Sequence, residues 1–366
     1  MFSIIVKLFV TMIIAAALTP FVRKLAFILG AVDKPNARRV NTEAMPTMGG
    51  LAIFLAFTFS TFVLLRNQLP THELYSVFAA ECTILLTGMI DDIRELKPRQ
   101  KMLGILVAAL IVYFLGGIRM DNISLPFIGQ FELGWLSLPI TIIWILAITN
   151  AVNLIDGLDG LATGVSIISL FTMGVIGFFY LNVDNVYISI WIFSLVASLI
   201  GFLPHNFHPA NIFLGDTGSL FIGFMMAVFS LKGLKNVTMI SMLIPVIIMG
   251  VPITDTIYAI LRRILNKKPI SQADKHHLHH RLIQLGLSHR QTVLAIYGLA
   301  LVFAFISLLY PLSSFWGTVL LTIAVLIGLE LFVESIGLMG DNRQPMLHAI
   351  KNLIKKTGKQ LPTKKD

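Results

Sequence analysis

Charge is scarce in this sequence. Asp, Glu, Lys and Arg make up 13% of the 366 residues, against roughly 25% in an ordinary soluble domain. A soluble chain this poor in charge could not cover its surface with polar groups, so no separate soluble domain is expected. Cysteine is almost missing as well. Cys82 stands alone inside an apolar run, which excludes a disulfide framework and fits a small core residue. Internal repeats and low-complexity segments are absent. The net charge of +9 is spread over short loops and a tail rather than gathered on one folded face. That distribution excludes a nucleic-acid partner and suits anionic lipid headgroups or orientation in a bilayer.

What the chain has in quantity is apolar sequence, 56% of all residues. A helix needs about 20 apolar residues to cross the hydrocarbon layer. Eleven runs qualify as candidates, at 3–21, 48–65, 74–90, 102–118, 135–152, 161–181, 186–203, 219–231, 237–261, 292–310 and 315–336. The expected fold is an all-α polytopic membrane protein. The first run lacks a small-residue cleavage site and reads as a retained helix. The eighth is short and could start nearer Gly215. The ninth carries Pro245 and Pro252 and is expected to be kinked or broken. Residues 1–336 form the membrane domain and 337–366 a basic tail.

Eleven spans place the termini on opposite sides, and the basic residues choose the orientation. Only five of the 28 Lys and Arg, namely Lys7, Arg66, Arg119, Lys232 and Lys235, fall on the N-terminal side. The other side is therefore expected to be cytoplasmic, with the N-terminus outside and the C-terminus inside. The longest outer loop, 119–134, alternates between turn and apolar residues and predicts a small hairpin on the membrane surface.

The polar chemistry gathers in the five inner loops. Loop one holds Pro46-Thr47-Met48-Gly49-Gly50, and loop two opens on Asp91-Asp92 and ends at Lys101. Loop three runs from Asn150 through Asn153 to Asp156-Gly157-Leu158-Asp159-Gly160. Loop four holds His205, His208 and Gly215-Asp216-Thr217-Gly218, and loop five His276-His277-Leu278-His279-His280-Arg281. A single Asp at a helix end is ordinarily a cap. Asp91, Asp92, Asp156, Asp159 and Asp216 together, with no Lys or Arg in loops three and four, call for a cation. Hard oxygen ligands with the Asn153 amide nearby suit Mg²⁺ or Mn²⁺. The His cluster fits either a zinc site, for which the usual Cys partners are missing, or a cradle for phosphate oxygens with Arg281, Lys101, Arg262 and Arg263. Carboxylates, a divalent ion, fixed cations and glycine turns at one membrane boundary fit phosphoryl transfer. A transporter is the rival class, with Glu81 and Asp255 inside spans; the crowding of polar groups at one surface favours an enzyme.

At these residues the chain resembles the polyprenyl-phosphate N-acetylhexosamine-1-phosphate transferases. The segments 46–50, 91–92, 150–160, 213–219 and 276–281 carry the likeness, in order and on one side. His277-Leu278-His279-His280 after Ala273-Asp274-Lys275, and Glu95 after the Asp pair, resemble the bacterial undecaprenyl-phosphate N-acetylglucosamine-1-phosphate branch rather than the muramoyl-pentapeptide branch. The resemblance implies UDP-N-acetylglucosamine and undecaprenyl phosphate as substrates, a bacterial plasma membrane location with cytoplasmic catalytic loops, and Mg²⁺ held by Asp216 with Asn153. It implies Asp91 and Asp92 near the lipid phosphate, with Asp91 as proton acceptor. Asp156 and Asp159 would line the nucleotide site, and Lys101, His277, His279 and His280 would hold the diphosphate. A homodimer is compatible with it.

Overall fold

The computed structural model describes residues 2–33, 44–125, 129–180, 186–233, 243–267, 269, 276–339 and 344–350. Part of the first inner loop (34–43), the start of the ninth expected span (237–242), Lys235, Lys275 and the tail from 351 lie outside the described residues.

Among the described residues the principal α-helices run in chain order: α1 Phe2–Leu29, α2 Gly50–Phe59, α3 Thr71–Arg94, α4 Pro98–Phe114, α5 Ser137–Ile155, α6 Leu161–Tyr180, α7 Val186–Asn206, α8 Gly215–Gly233, α9 Leu243–Ile248, α10 Gly250–Leu265, α11 Leu278–Gln284, α12 His289–Leu309 and α13 Phe315–Ser335. Two short antiparallel ribbons join them. Strand β1 (Val32–Asp33) pairs with β2 (Met45–Pro46), and β3 (Asn122–Leu125) with β4 (Gly129–Glu132). The second ribbon is the hairpin expected in the loop at 119–134, with Ile123 opposite Phe131.

Among the described residues seven helices, α1, α3, α5, α6, α7, α12 and α13, are long and apolar enough to cross a membrane. The chain is a multi-pass membrane protein. The other four expected spans are helical but different in kind. Helix α2 continues through a π-helical turn at Ser60–Leu64. Helix α4 has 17 residues, a rise of about 26 Å at 1.5 Å per residue. Helix α8 does begin at Gly215. The ninth run is broken at Met249 between α9 and α10. Pro252 has no N–H to give the carbonyl of Ile248, and the Ser169 hydroxyl on α6 donates to that oxygen instead at 3.1 Å. The freed backbone group is thus satisfied inside the protein, as the absence of water at that depth requires. Helix α1 extends past the expected boundary, so Arg23 and Lys24 are helical rather than in a loop. Asp91 and Asp92 likewise belong to the last turn of α3.

Helix α8 is the hub. It packs against α5, α3, α2, α6 and α7, and Phe221, Phe224, Met225 and Met226 are fully buried. Packing on five helices, rather than lipid, covers this apolar helix. Glycine makes the close approach to its first turn: a Cβ on Gly50 would land on the Gly218 and Thr217 backbone, and one on Gly88 would meet Thr217 Cα. Small residues at helix crossings serve membrane bundles in this way.

Gly50→Val should therefore force α2 away from α8 and cost about 1–3 kcal/mol, read as a lower thermal unfolding midpoint in detergent. Gly298→Ala on α12 meets nothing within 4 Å and should leave that midpoint unchanged or raise it.

Candidate functional site

One end of the bundle collects the C-termini of α3, α5 and α7 and the N-termini of α2, α4, α6, α8, α11 and α12. The chain enters α8 through Gly215, whose φ of +73° favours glycine. The first turn of α8 has unpaired N–H groups, as every helix start does. Asp92 satisfies two of them. Its Oδ1 accepts the Asp216 N–H at 2.9 Å, and its Oδ2 accepts the Thr217 N–H at 3.0 Å and the Thr217 hydroxyl at 2.5 Å. Asp92 thus caps a neighbouring helix from α3, with a carboxylate at a positive helix end.

That cap sets Asp216 in place. Its side chain accepts from Lys101 Nζ and from Asn153 Nδ2. Lys101 also pairs with Asp91 Oδ2 at 2.7 Å, so one ammonium bridges two carboxylates contributed by α3 and α8. The other oxygen of Asp91 accepts the Leu96 N–H at 2.6 Å, within the turn from α3 into α4. Asn153 also donates to the Ser219 hydroxyl at 2.8 Å. These contacts bring together Asp91, Asp92, Lys101, Asn153 and Asp216.

The donor set suits a divalent cation. Asp216 and Asp91 are hard oxygen ligands, and Lys101 marks where positive charge is favoured between them. The Asn153 amide turns its nitrogen toward Asp216. A half-turn of the amide exchanges its O and N and would present the oxygen that a cation needs.

Asp156 follows α5 directly and Asp159 lies three residues on. Burial pushes the Asp156 carboxyl from an ordinary 3.8 up to about 8, with the charges of Asp92 and Asp159 adding to the effect. Asp159 is tied down: its Oδ2 pairs with His208 Nδ1 at 2.8 Å and accepts the Ala210 N–H at 3.2 Å. Its own N–H donates to His289 Nε2 at 3.1 Å. Asp159, His208 and His289 bring three ligand atoms within 4.8 Å of one another, a donor set that a transition metal can take. As they stand they satisfy each other, and the two rings stack with centroids 4.2 Å apart and planes 20° apart. Imidazoles sharing one ion aim in-plane lone pairs at it, so the rings would have to turn. His289 was not a sequence candidate, because one His at a helix start carries no signal.

The histidine cluster forms the remaining wall. His277 and His279 are buried, and a Cβ on Gly157 would strike the His279 ring. That close approach joins α11 to the loop carrying Asp156 and Asp159. Burial, with His280 next in weight, pushes His279 down to about 3, so its imidazole is neutral near pH 7. The rings of His279 and His280 lie 4.2 Å apart. Arg281 donates to the Ile336 carbonyl at 2.6 Å, and Arg262 to the Leu338 carbonyl at 2.7 Å. Both arginines thus fasten the segment that follows α13. Beyond it, Glu334 accepts the Met346 and Leu347 N–H groups at 2.9 and 2.7 Å, so residues inside the expected tail dock on the bundle.

Apolar helices surrounding a buried hub, with acid, lysine and imidazole groups crowded at one end, define a polytopic membrane enzyme fold with a boundary site. The chain belongs to glycosyl transferase family 4, whose model matches residues 74–234. It is 41% identical to a probable undecaprenyl-phosphate N-acetylglucosaminyl 1-phosphate transferase of Bacillus subtilis (strain 168), over 97% of this chain and 98% of the relative. It is 37% identical to the decaprenyl-phosphate N-acetylglucosaminephosphotransferase of Mycobacterium tuberculosis (strain ATCC 25618 / H37Rv), over 77% of each. A phospho-N-acetylmuramoyl-pentapeptide-transferase of Halalkalibacterium halodurans is 29% identical over 84% of this chain and 95% of the relative.

Asp92→Ala should remove three hydrogen bonds from the start of α8 and cost about 1–2 kcal/mol, measured as a lower unfolding midpoint; Asp92→Asn, which keeps one acceptor, should cost less. A carboxyl whose folded pKa is raised binds its proton more tightly in the folded state, so its contribution to stability falls as pH rises from about 4 to about 8. Without divalent ions, Asp156→Asn should raise the unfolding midpoint, and the gain should widen between pH 5 and pH 8.

Proposed function

We propose that this chain transfers N-acetylglucosamine 1-phosphate from UDP-N-acetylglucosamine to undecaprenyl phosphate. The products are undecaprenyl-diphosphate-N-acetylglucosamine and UMP. The reaction is the first membrane step of a surface polysaccharide, of the teichoic acid linkage or O-antigen type. The convergence of Asp91, Lys101, Asn153 and Asp216 at one end of an apolar bundle supports this most strongly. The near full-length likeness to an N-acetylglucosaminyl 1-phosphate transferase, and the lower identity to a muramoyl-pentapeptide relative, favour the N-acetylglucosamine donor.

The eleven apolar segments all cross or enter the bilayer, with the N-terminus outside and the site facing the cytoplasm. The concentration of 23 of the 28 Lys and Arg on the site side supports that orientation. A lipid phosphate then reaches the site from the bilayer and the nucleotide sugar from the cytoplasm.

Asp216 and Asn153 would hold Mg²⁺, or Mn²⁺ in its place. The ion, when bound, neutralises charge on the diphosphate and the departing UMP. Asp91 takes the remaining proton of the lipid phosphate. A phosphate monoester has a second pKa near 6, so this step contributes modestly at neutral pH. The lipid phosphate oxygen attacks the sugar-bound phosphorus, and the bond to UMP breaks. Alignment and charge compensation supply most of the rate. Lys101 contributes fixed positive charge beside Asp91 and Asp216. His277, His279 and His280 hold the diphosphate, with His279 acting as a neutral hydrogen-bonding group. Asp156 and Asp159 line the nucleotide pocket, and Asp92 serves by holding α8.

Purified protein in detergent should move labelled sugar phosphate from UDP-N-acetylglucosamine to undecaprenyl phosphate, and not from the muramoyl-pentapeptide donor. Asp216→Asn should lower turnover by roughly 10²-fold or more and weaken the dependence on Mg²⁺. His279→Ala should raise the donor KM in a protein that still folds, with a somewhat lower unfolding midpoint from loss of a buried ring. Exchange of UMP into the donor without lipid would point instead to a two-step route through an acyl phosphate on an Asp. Near-normal turnover in Asp216→Asn would remove the metal assignment.

A further inference from the structure

Asp255 lies on α10 and is 2% exposed. The motifs at the site do not include it, and its position within an apolar run gives it the look of a pathway residue. The structure gives it local partners. Its Oδ2 lies 2.8 Å from His277 Nδ1, and its Oδ1 accepts the Leu278 N–H at 2.7 Å. One oxygen therefore orients the first His of the cluster, and the other caps the helix that carries His279 and His280.

The chemistry of the pair is asymmetric. An ionised carboxylate only accepts hydrogen bonds, so the Nδ1 of His277 must carry a proton. In the neutral ring that leaves Nε2 without one; in the imidazolium, Nε2 gains a proton and becomes a donor. A carboxylate on the far nitrogen stabilises that charged form, as second-shell carboxylates do for imidazoles in metal and hydrolase sites. Among the described residues, Nε2 of His277 makes no hydrogen bond. The His277 ring lies parallel to that of His279, 3° apart with centroids at 6.0 Å, and His279 abuts Gly157 in the loop of Asp156 and Asp159. His277 therefore stands beside the ring that meets the loop of Asp156 and Asp159, with Asp255 on its other side.

We propose that Asp255 is a positioning residue. It holds His277 with its proton on Nδ1, so that a second ring proton, taken from solvent as an anionic phosphate oxygen of the nucleotide-sugar diphosphate arrives, sits on Nε2 and is donated to that oxygen. The diphosphate part rests on the transferase reading above; the orientation of His277 does not.

Asp255→Asn separates the two jobs. Its single oxygen can keep the Leu278 bond and so preserve α11, while its NH₂ faces Nδ1 and drives the ring proton to Nε2. The full chain, labelled with ¹⁵N-histidine and purified in detergent, reports the tautomer by NMR, with His277→Gln assigning the signals. The expected result is an Nδ1-protonated His277 in the unaltered chain and in Asp255→Glu, and an Nε2-protonated ring in Asp255→Asn. In transfer assays, Asp255→Asn should raise the KM for UDP-N-acetylglucosamine about tenfold, the scale of one charge-assisted hydrogen bond, with kcat within threefold and the KM for undecaprenyl phosphate unchanged. Asp255→Glu should restore the donor KM to within threefold. An unshifted tautomer in Asp255→Asn, or a loss confined to folded yield with the donor KM unmoved, would overturn the proposal. If the unaltered chain transferred no sugar phosphate, the transferase reading would fall, and the tautomer measurement would still decide the role of Asp255.

Discussion

The first turn of α8 must start inside protein, and that requirement governs this end of the molecule. Its N–H groups cannot be left bare in a region poor in water, where each unsatisfied donor costs several kcal/mol. Asp92 supplies the acceptors from α3, and three hydrogen bonds pin the turn. Gly50, Gly88 and Gly218 allow the helices to come near enough for the carboxylate to reach. Asp216 is held at the end of this rigid support, where it meets Lys101 from α4 and Asn153 from α5. The chemistry-bearing carboxylate is thus presented by a helix whose position two other helices determine.

Adjacent acids in the sequence have divergent duties for the same reason. Asp91 and Asp92 are neighbours on α3, and a helix turns 100° between them. Asp92 points at the start of α8. Asp91 points at Lys101 and at the turn into α4. A similar division separates Asp156 from Asp159. Asp159 is held by His208, Ala210 and His289, whereas Asp156, desolvated and beside other acids, holds its proton to about pH 8. Like charges in low dielectric cannot all ionise at no cost, so the cluster is arranged to receive compensating positive charge.

The C-terminal helices brace the site from outside. Arg281 reaches the Ile336 carbonyl at the C-cap of α13, the negative end of the helix dipole, and Arg262 the Leu338 carbonyl in the turn that follows. Glu334 in turn ties the segment at 344–350. The histidine helix α11 is consequently held between α10, through Asp255, and α13, through Arg281.

Much of this was legible beforehand. Low charge and long apolar runs dictate a helical membrane protein, because only helices or closed barrels satisfy their backbone in lipid. Proline placed the break between α9 and α10, and turn residues placed the β3–β4 hairpin. The clustered motifs named nearly every polar residue now found at the bundle end, since acid, His and Gly at apolar helix ends have few other uses. Which partner each would take was not legible. Asp92 as a cap, Lys101 between two carboxylates, Asp255 behind His277 and His289 beside Asp159 depend on contacts between residues from 22 to 130 positions apart. Helix lengths and the central place of α8 were hidden for a related reason. Hydropathy records how apolar a segment is, but not whether lipid or other helices surround it, and packing alone settles that.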